Sequence, residues 1–313
     1  MKAVEKLLDK YKNSPLMIFI DKLLFRIGDK NLPAMAGSLT FFTILSIFPF
    51  IIAFLNIISF VEIFNQSEFV NFMTVLPEEI YSIIAEFISQ LNKASSTGLL
   101  SVSLILGIFS ASSGVKQLII NINYAYGIKD NRNYFLRRLI AAVFTLLLMV
   151  MIILISITSV VGEMAITKAI LFLQIDASNF YNVFKALRNL VPIAYMLIIF
   201  IMMYYFTLNK NIRRNIKITE VLPGAIFTTI GQNLFSALFG VYLQNFAKYS
   251  VTYGSLGSIF AFLTWSYFMS YTMLIGSEIN GVLYSMKYFK TQNLHPRYES
   301  VFFKKKLICE ETR

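Results

Sequence analysis

Residues 249–277 read YSVTYGSLGSIFAFLTWSYFMSYTMLIGS, twenty-nine positions without an Asp, Glu, Lys or Arg. About 20 apolar residues suffice to cross the hydrocarbon core of a bilayer as a helix. This run therefore decides the class of the fold, and five more runs resemble it. Residues 31–61, 94–115, 139–162, 189–209 and 221–247 are equally free of charge. A transmembrane β-barrel shows short alternating segments instead. The spacing predicts helices near 35–58, 98–120, 139–161, 190–208, 222–243 and 256–279. The fold expected is an all-α polytopic membrane protein with six transmembrane helices.

Composition agrees. Of 313 residues, 57% are hydrophobic and 14% charged, against roughly 45–50% and 25% in soluble domains. Mean hydropathy is +0.65. So little polar sequence cannot shield six apolar runs from water.

The basic residues set the topology. Seven Lys and Arg precede the first run, four lie in loop 2–3, four in loop 4–5 and seven follow residue 280. The opposite loops hold five, and Lys116 is the remaining one of 28. Such asymmetry places both termini in the cytoplasm. The net charge of +11 then belongs beside anionic lipid headgroups, with no nucleic-acid partner. Three parts follow: a cytoplasmic amphipathic segment, 1–34; a six-helix domain, 35–280; and a basic cytoplasmic tail, 281–313. Within the first, apolar residues recur through 4–11, Pro15 restarts the chain, and 16–28 form a second amphipathic stretch. These are expected on the inner interface or packed under the bundle. Pro77 opens an amphipathic outer helix in the acidic loop 1–2.

Polar groups at membrane depth are candidates for function. Glu278, near the inner end of the last run, is the clearest, and Asn280 follows it. Lys116 is a candidate partner for Glu278. Gln232 and Asn233 lie deep in the fifth run, where amides usually join helices. Pro49 lies deep in the first run and frees a backbone carbonyl. Tyr249, Tyr253 and Gly254 form a polar, aromatic turn into the last helix. The pairs Gly107/Ala111, Ser110/Gly114, Ser236/Gly240 and Gly257/Ala261 permit close helix contact. No catalytic constellation is evident. The single histidine, His295, and single cysteine, Cys309, lie in the tail, and no zinc set or phosphate loop is present. No cofactor or metal is expected, and the chain does not read as an enzyme.

Four ordered blocks carry a family resemblance. They are Ala36-Gly37-Ser38 through Pro49; Ser110-Ala111-Ser112-Ser113-Gly114-Val115 with Asn121-Ile122-Asn123-Tyr124-Ala125-Tyr126; Leu222-Pro223-Gly224-Ala225; and Thr252-Tyr253-Gly254-Ser255-Leu256-Gly257 with Trp265-Ser266-Tyr267 and Gly276-Ser277-Glu278-Ile279-Asn280. With them the chain resembles the YihY/virulence factor BrkB family of bacterial inner-membrane proteins. Gly37 and Ser266 depart from the usual pattern. The resemblance implies six spans with both termini inside. Members have carried a ribonuclease BN label regarded as a misassignment, and one is suggested to export a lipid A precursor. The reading favoured is a transporter or flippase-like protein for a lipid or other amphiphile. Alternatives are a non-transporting scaffold in envelope assembly with a protein partner, or a small-solute channel. Ribonuclease chemistry has no residues to support it.

Overall fold

The computed structural model describes residues 14–45, 97–128, 130–148, 150–151, 154, 177–245 and 255–288. Every regular element among them is a helix. They are α1 (Pro15–Asp29), α2 (Leu32–Leu45), α3 (Thr97–Ala125), α4 (134–148), α5 (Ala177–Phe206), α6 (Lys210–Arg213), a 3-10 turn (Ile218–Val221), α7 (Leu222–Asn245) and α8 (Ser255–Tyr288). Pro49, Tyr249, Tyr253 and Gly254 lie outside the described residues, as do segment 1–13, the outer helix after Pro77 and the end of the tail.

Each of the six charge-free runs holds a described helix. Two helical stretches, Ile218–Leu243 and Ile259–Tyr288, are long and apolar enough to cross a membrane; Leu32–Leu45 and Leu190–Phe206 are shorter apolar helices. Two boundaries differ from expectation. Helix α5 starts at Ala177 rather than near 190, so Pro192 sits inside it instead of at its start. Helix α8 runs to Tyr288, because its last turns still bury Val282 and Ser285.

Helix α8 is the hub, packing on α1, α3 and most extensively on α7. Its neighbours place Ile119, Ile122, Phe200, Met203, Tyr204 and Leu274 in one core. On α7, Ile226, Ile230, Leu234 and Leu238 are all exposed. Their four-residue spacing lines them along one face. An apolar stripe of that length on an exposed surface marks an interaction with membrane or partner.

Helix α1 inverts the soluble rule. It starts on Pro15, whose missing N–H costs nothing at a first helical position. Asp21, Lys22 and Arg26 are its buried residues, while Leu16, Ile18 and Leu24 are exposed. These buried charges meet the bundle, and Leu16, Ile18 and Leu24 look outward.

Candidate functional site

Two chain turns bring the polar residues together at one end of the bundle. After α1 the chain reverses through Asn31, whose φ of 51° is left-handed. Asparagine tolerates that conformation, and the Asn31 N–H donates to the Gly28 carbonyl at 3.0 Å. After α3 the chain turns at Gly127, φ 77°. Its N–H donates to the Tyr124 carbonyl at 3.0 Å and that of Ile128 to the Asn123 carbonyl at 3.3 Å, the paired bonds of a Schellman stop. The Tyr124 and Ala125 carbonyls are thereby presented at a helix C-terminus, where partial negative charge collects.

Arg26 and Lys30 fill that position. Arg26 Nη1 donates to the Ala125 carbonyl at 2.9 Å, and Lys30 Nζ to the Tyr124 carbonyl at 3.1 Å. Both also meet Glu278: Arg26 Nη1 lies 3.3 Å from Oε2 and Lys30 Nζ 2.6 Å from Oε1. The three side chains are 8%, 5% and 4% exposed. Burial holds the Lys30 ammonium below the usual lysine range, with Glu278 pulling it back up and Arg26 pushing it further down. One carboxylate and a helix terminus thus hold two cations, tying α1, α3 and α8 into one knot. Gly281 permits the approach: a Cβ there would lie 2.2 Å from the Ala125 carbonyl oxygen and 3.0 Å from Arg26 Nη1.

Asn280 works on the opposite side of α8. Its Oδ1 accepts from the Gly224 N–H at 2.8 Å, and its Nδ2 donates to the Val221 carbonyl at 3.1 Å. It is 1% exposed and caps the start of α7, whose first N–H groups lack intrahelical partners. Above it the helices nearly touch. A Cβ on Gly224 would fall 2.1 Å from the Gly276 oxygen, and one on Gly276 2.1 Å from Thr228 Oγ1. The Tyr204 hydroxyl closes this crossing, 2.8 Å from Thr228 Oγ1 and donating to the Met273 carbonyl at 2.7 Å.

The other candidates divide. Gln232 is buried, and its Nε2 donates to the Met269 carbonyl at 3.3 Å. Asn233 is exposed and donates to the Thr229 carbonyl of its own helix at 2.8 Å and to Met196 Sδ on α5 at 3.6 Å. Lys116 does not pair with Glu278. Its Nζ lies 5.8 Å from the centroid of the Tyr134 ring, because α1 already supplies the cations for Glu278. Of the small-residue pairs, Gly114 does pack closely, a Cβ there lying 3.6 Å from Thr43. Gly240 faces open space. Sequence reasoning counted Arg26 and Lys30 only as topology charges and passed over Tyr204. It also missed Asn123, which is fully buried: its Nδ2 donates to the Ile119 and Thr207 carbonyls and its Oδ1 accepts from the Asn209 N–H.

Toward the far ends of α7 and α8 the helices part. A cleft of about 630 Å³ opens there, lined by Phe235, Leu238, Phe239, Tyr242, Phe260 and Phe268, with Gly257 and Ala261 on its α8 wall. Phe235 stacks on Phe268 at 4.4 Å and on Phe239 at 5.6 Å. The small residues expected to close a helix contact here leave room instead. None of the predicted polar candidates among the described residues lines this cleft. Among the described residues no three His, Cys, Asp or Glu gather where a metal ion could be held.

The model of the family described as virulence factor BrkB matches residues 23–299. A ribonuclease-like protein of Bacillus subtilis, YfkH, is 30% identical over 277 residues, covering 88% of this chain and 99% of its own. UPF0761 membrane proteins of Aliivibrio fischeri and Vibrio vulnificus are 26% and 24% identical, each covering at least 85% of this chain and 82% of its own. No solved structure matches the chain.

Proposed function

We propose, from the premise that the chain belongs to the virulence factor BrkB family, that it is a six-span protein of the bacterial inner membrane that admits a lipid or other amphiphile between α7 and α8. Both termini lie in the cytoplasm, and the knot around Glu278 sits at the cytoplasmic end. The three parts are the segment 1–34, the helical domain 35–280 and the tail 281–313. The charge asymmetry of the loops supports this topology. Cys309 is the only cysteine, so cysteines introduced one at a time into a Cys309→Ser chain read out each loop. A loop 2–3 cysteine labelled from outside intact cells overturns the orientation.

The observation that carries the amphiphile reading is the cleft. It is open, aromatic and about 630 Å³, and it lies in the two helical stretches long enough to span a bilayer. Pockets for small molecules have this size and apolar lining. Native mass spectrometry of protein extracted gently with its own lipids tests it, comparing wild type with Ala261→Phe, which fills the cleft. A bound amphiphile lost on filling is the expected result. Equal retention by a folded Ala261→Phe protein overturns the reading.

A non-transporting scaffold is the second reading, favoured by one observation. Gln232, Glu278 and Asn280 are each engaged by backbone or ion pairs within the bundle. A scaffold predicts an envelope-assembly protein recovered with the purified chain.

A further inference from the structure

Away from the cleft and the knot, α3 and α4 hold two cations without a carboxylate. Ser113 and Lys116 lie three apart on α3, and Tyr134 and Arg138 four apart on α4, so each pair shares a face. Arg138 Nη1 donates to Ser113 Oγ at 3.2 Å, and Nη2 to the Phe109 carbonyl. Its guanidinium carbon is 3.6 Å from the centroid of the Phe109 ring. Lys116 lies over Tyr134 one rung further along. Among the described residues neither cation forms an ion pair with an acid. Arg138 Nε is buried and has no hydrogen-bond partner. Phe135, Leu139 and Val143 are exposed on α4, 83%, 62% and 47%, and their four-residue spacing draws an apolar stripe that starts beside Arg138.

Cations beside a bilayer that no acid pairs are drawn to anionic headgroups. A guanidinium fits phosphate oxygens in a planar fork, and an ammonium adds a point charge. The stripe supplies what a soluble anion has no use for: an apolar track running away from the charges. We propose that Lys116 and Arg138 form a binding site for the phosphate headgroup of an anionic phospholipid of the inner leaflet, with an acyl chain lying along Phe135, Leu139 and Val143. Tyr134 stands beside the headgroup. The proposal rests on the membrane placement given above and is independent of the cleft.

The test is native mass spectrometry of the full chain in mild detergent, titrated with phosphatidylglycerol or with phosphatidylcholine of the same chains. Each surface cation is worth about 1 kcal/mol toward anionic lipid, so affinity for phosphatidylglycerol is expected to fall about fivefold in Lys116→Gln or Arg138→Gln and about 30-fold in the double variant. Lys217→Gln, which removes an exposed charge elsewhere, leaves it unchanged. The Lys116→Arg/Arg138→Lys protein keeps the charges and retains the preference, which separates lost charge from lost fold. Lys116→Gln alone leaves every Arg138 contact in place and serves if the double variant does not fold. A folded double variant that prefers phosphatidylglycerol as wild type does overturns the proposal. Displacement of the lipid by inorganic phosphate overturns it too, since the site is then one for a soluble anion. Ala261→Phe distinguishes the two readings: equal retention of amphiphile there overturns the cleft and leaves this site standing, whereas loss of amphiphile with phosphatidylglycerol retained shows two separate sites.

Discussion

Replacing Glu278 by Gln removes one charge and almost no volume. In the wild type the carboxylate is 4% exposed and meets Arg26 at 3.3 Å and Lys30 at 2.6 Å. Taking one partner from a buried ion pair costs about 3–5 kcal/mol, because the remaining charge stays desolvated. Here two cations remain. Some of that is offset, since the Tyr124 and Ala125 carbonyls still accept from them and Gln keeps an acceptor oxygen. The lower end, about 3 kcal/mol, is the expected loss. At about 2–4 °C per kcal/mol for a chain of this size or somewhat smaller, the melting temperature should drop by about 6–12 °C. Thermal unfolding in detergent, followed by circular dichroism, measures it. A double-mutant cycle with Lys30→Gln gives the attribution: removing the surplus cation should recover more than about 1 kcal/mol of the Glu278→Gln loss. A Glu278→Gln protein melting within about 2 °C of wild type, or strict additivity with Lys30→Gln, refutes the reasoning.

Gly276→Ala should be among the most damaging single-methyl changes in the molecule. The added Cβ would sit 2.1 Å from Thr228 Oγ1 and 2.7 Å from the Tyr204 hydroxyl, so helices α7 and α8 must separate, at about 1–3 kcal/mol or more; unfolding in detergent reads it. Gly37→Ala should act in the opposite direction. Its Cβ meets nothing within 4 Å, and a helix gains roughly 0.5–1 kcal/mol from Ala over Gly, visible as a raised melting temperature. Asp130 staples the turn before α4, paired with Arg132 at 2.8 Å and Arg137 at 3.0 Å. Burial alone would raise its pKa, but the Arg132 hydrogen bonds and both guanidinium charges bring it below the usual carboxylate range. A depressed carboxylate pKa stabilises the fold fully above the unfolded value of about 3.9 and loses that contribution as pH falls through the folded value. Asp130→Asn should therefore melt below wild type at pH 7, with the gap closing in acid below about pH 4; a gap independent of pH refutes the ion-pair origin.

Much of the helical layout was legible, because a bilayer imposes a length and an absence of charge that few other structures need. The amphipathic stretch 16–28 likewise announced α1. Which way α1 faces was not legible, since periodicity marks a stripe without saying which medium it meets. Asp21, Lys22 and Arg26 turned inward and Leu16 outward. Glu278 stood out as a carboxylate at membrane depth. Its partners did not, because Arg26 and Lys30 looked like two of seven ordinary interfacial charges and lie about 250 positions away. Gly224 and Gly276 stood in the quoted blocks, but a search for repeated small residues finds stripes rather than two single glycines on different helices. Among the stripes it did find, Gly257/Ala261 borders an opening, a distinction that depends on the Phe235 and Phe268 rings around it.

The knot also has an order in time. Arg26 and Lys30 leave the ribosome 252 and 248 residues before Glu278. Until α8 emerges, the first helix carries cations whose carboxylate has not yet been made. Any chain truncated before α8 keeps them without that carboxylate. The last of the described helices to be synthesised therefore closes the first of them. That gives the cell a chemical difference, two unmatched positive charges against a sealed end, by which a finished molecule differs from an unfinished one.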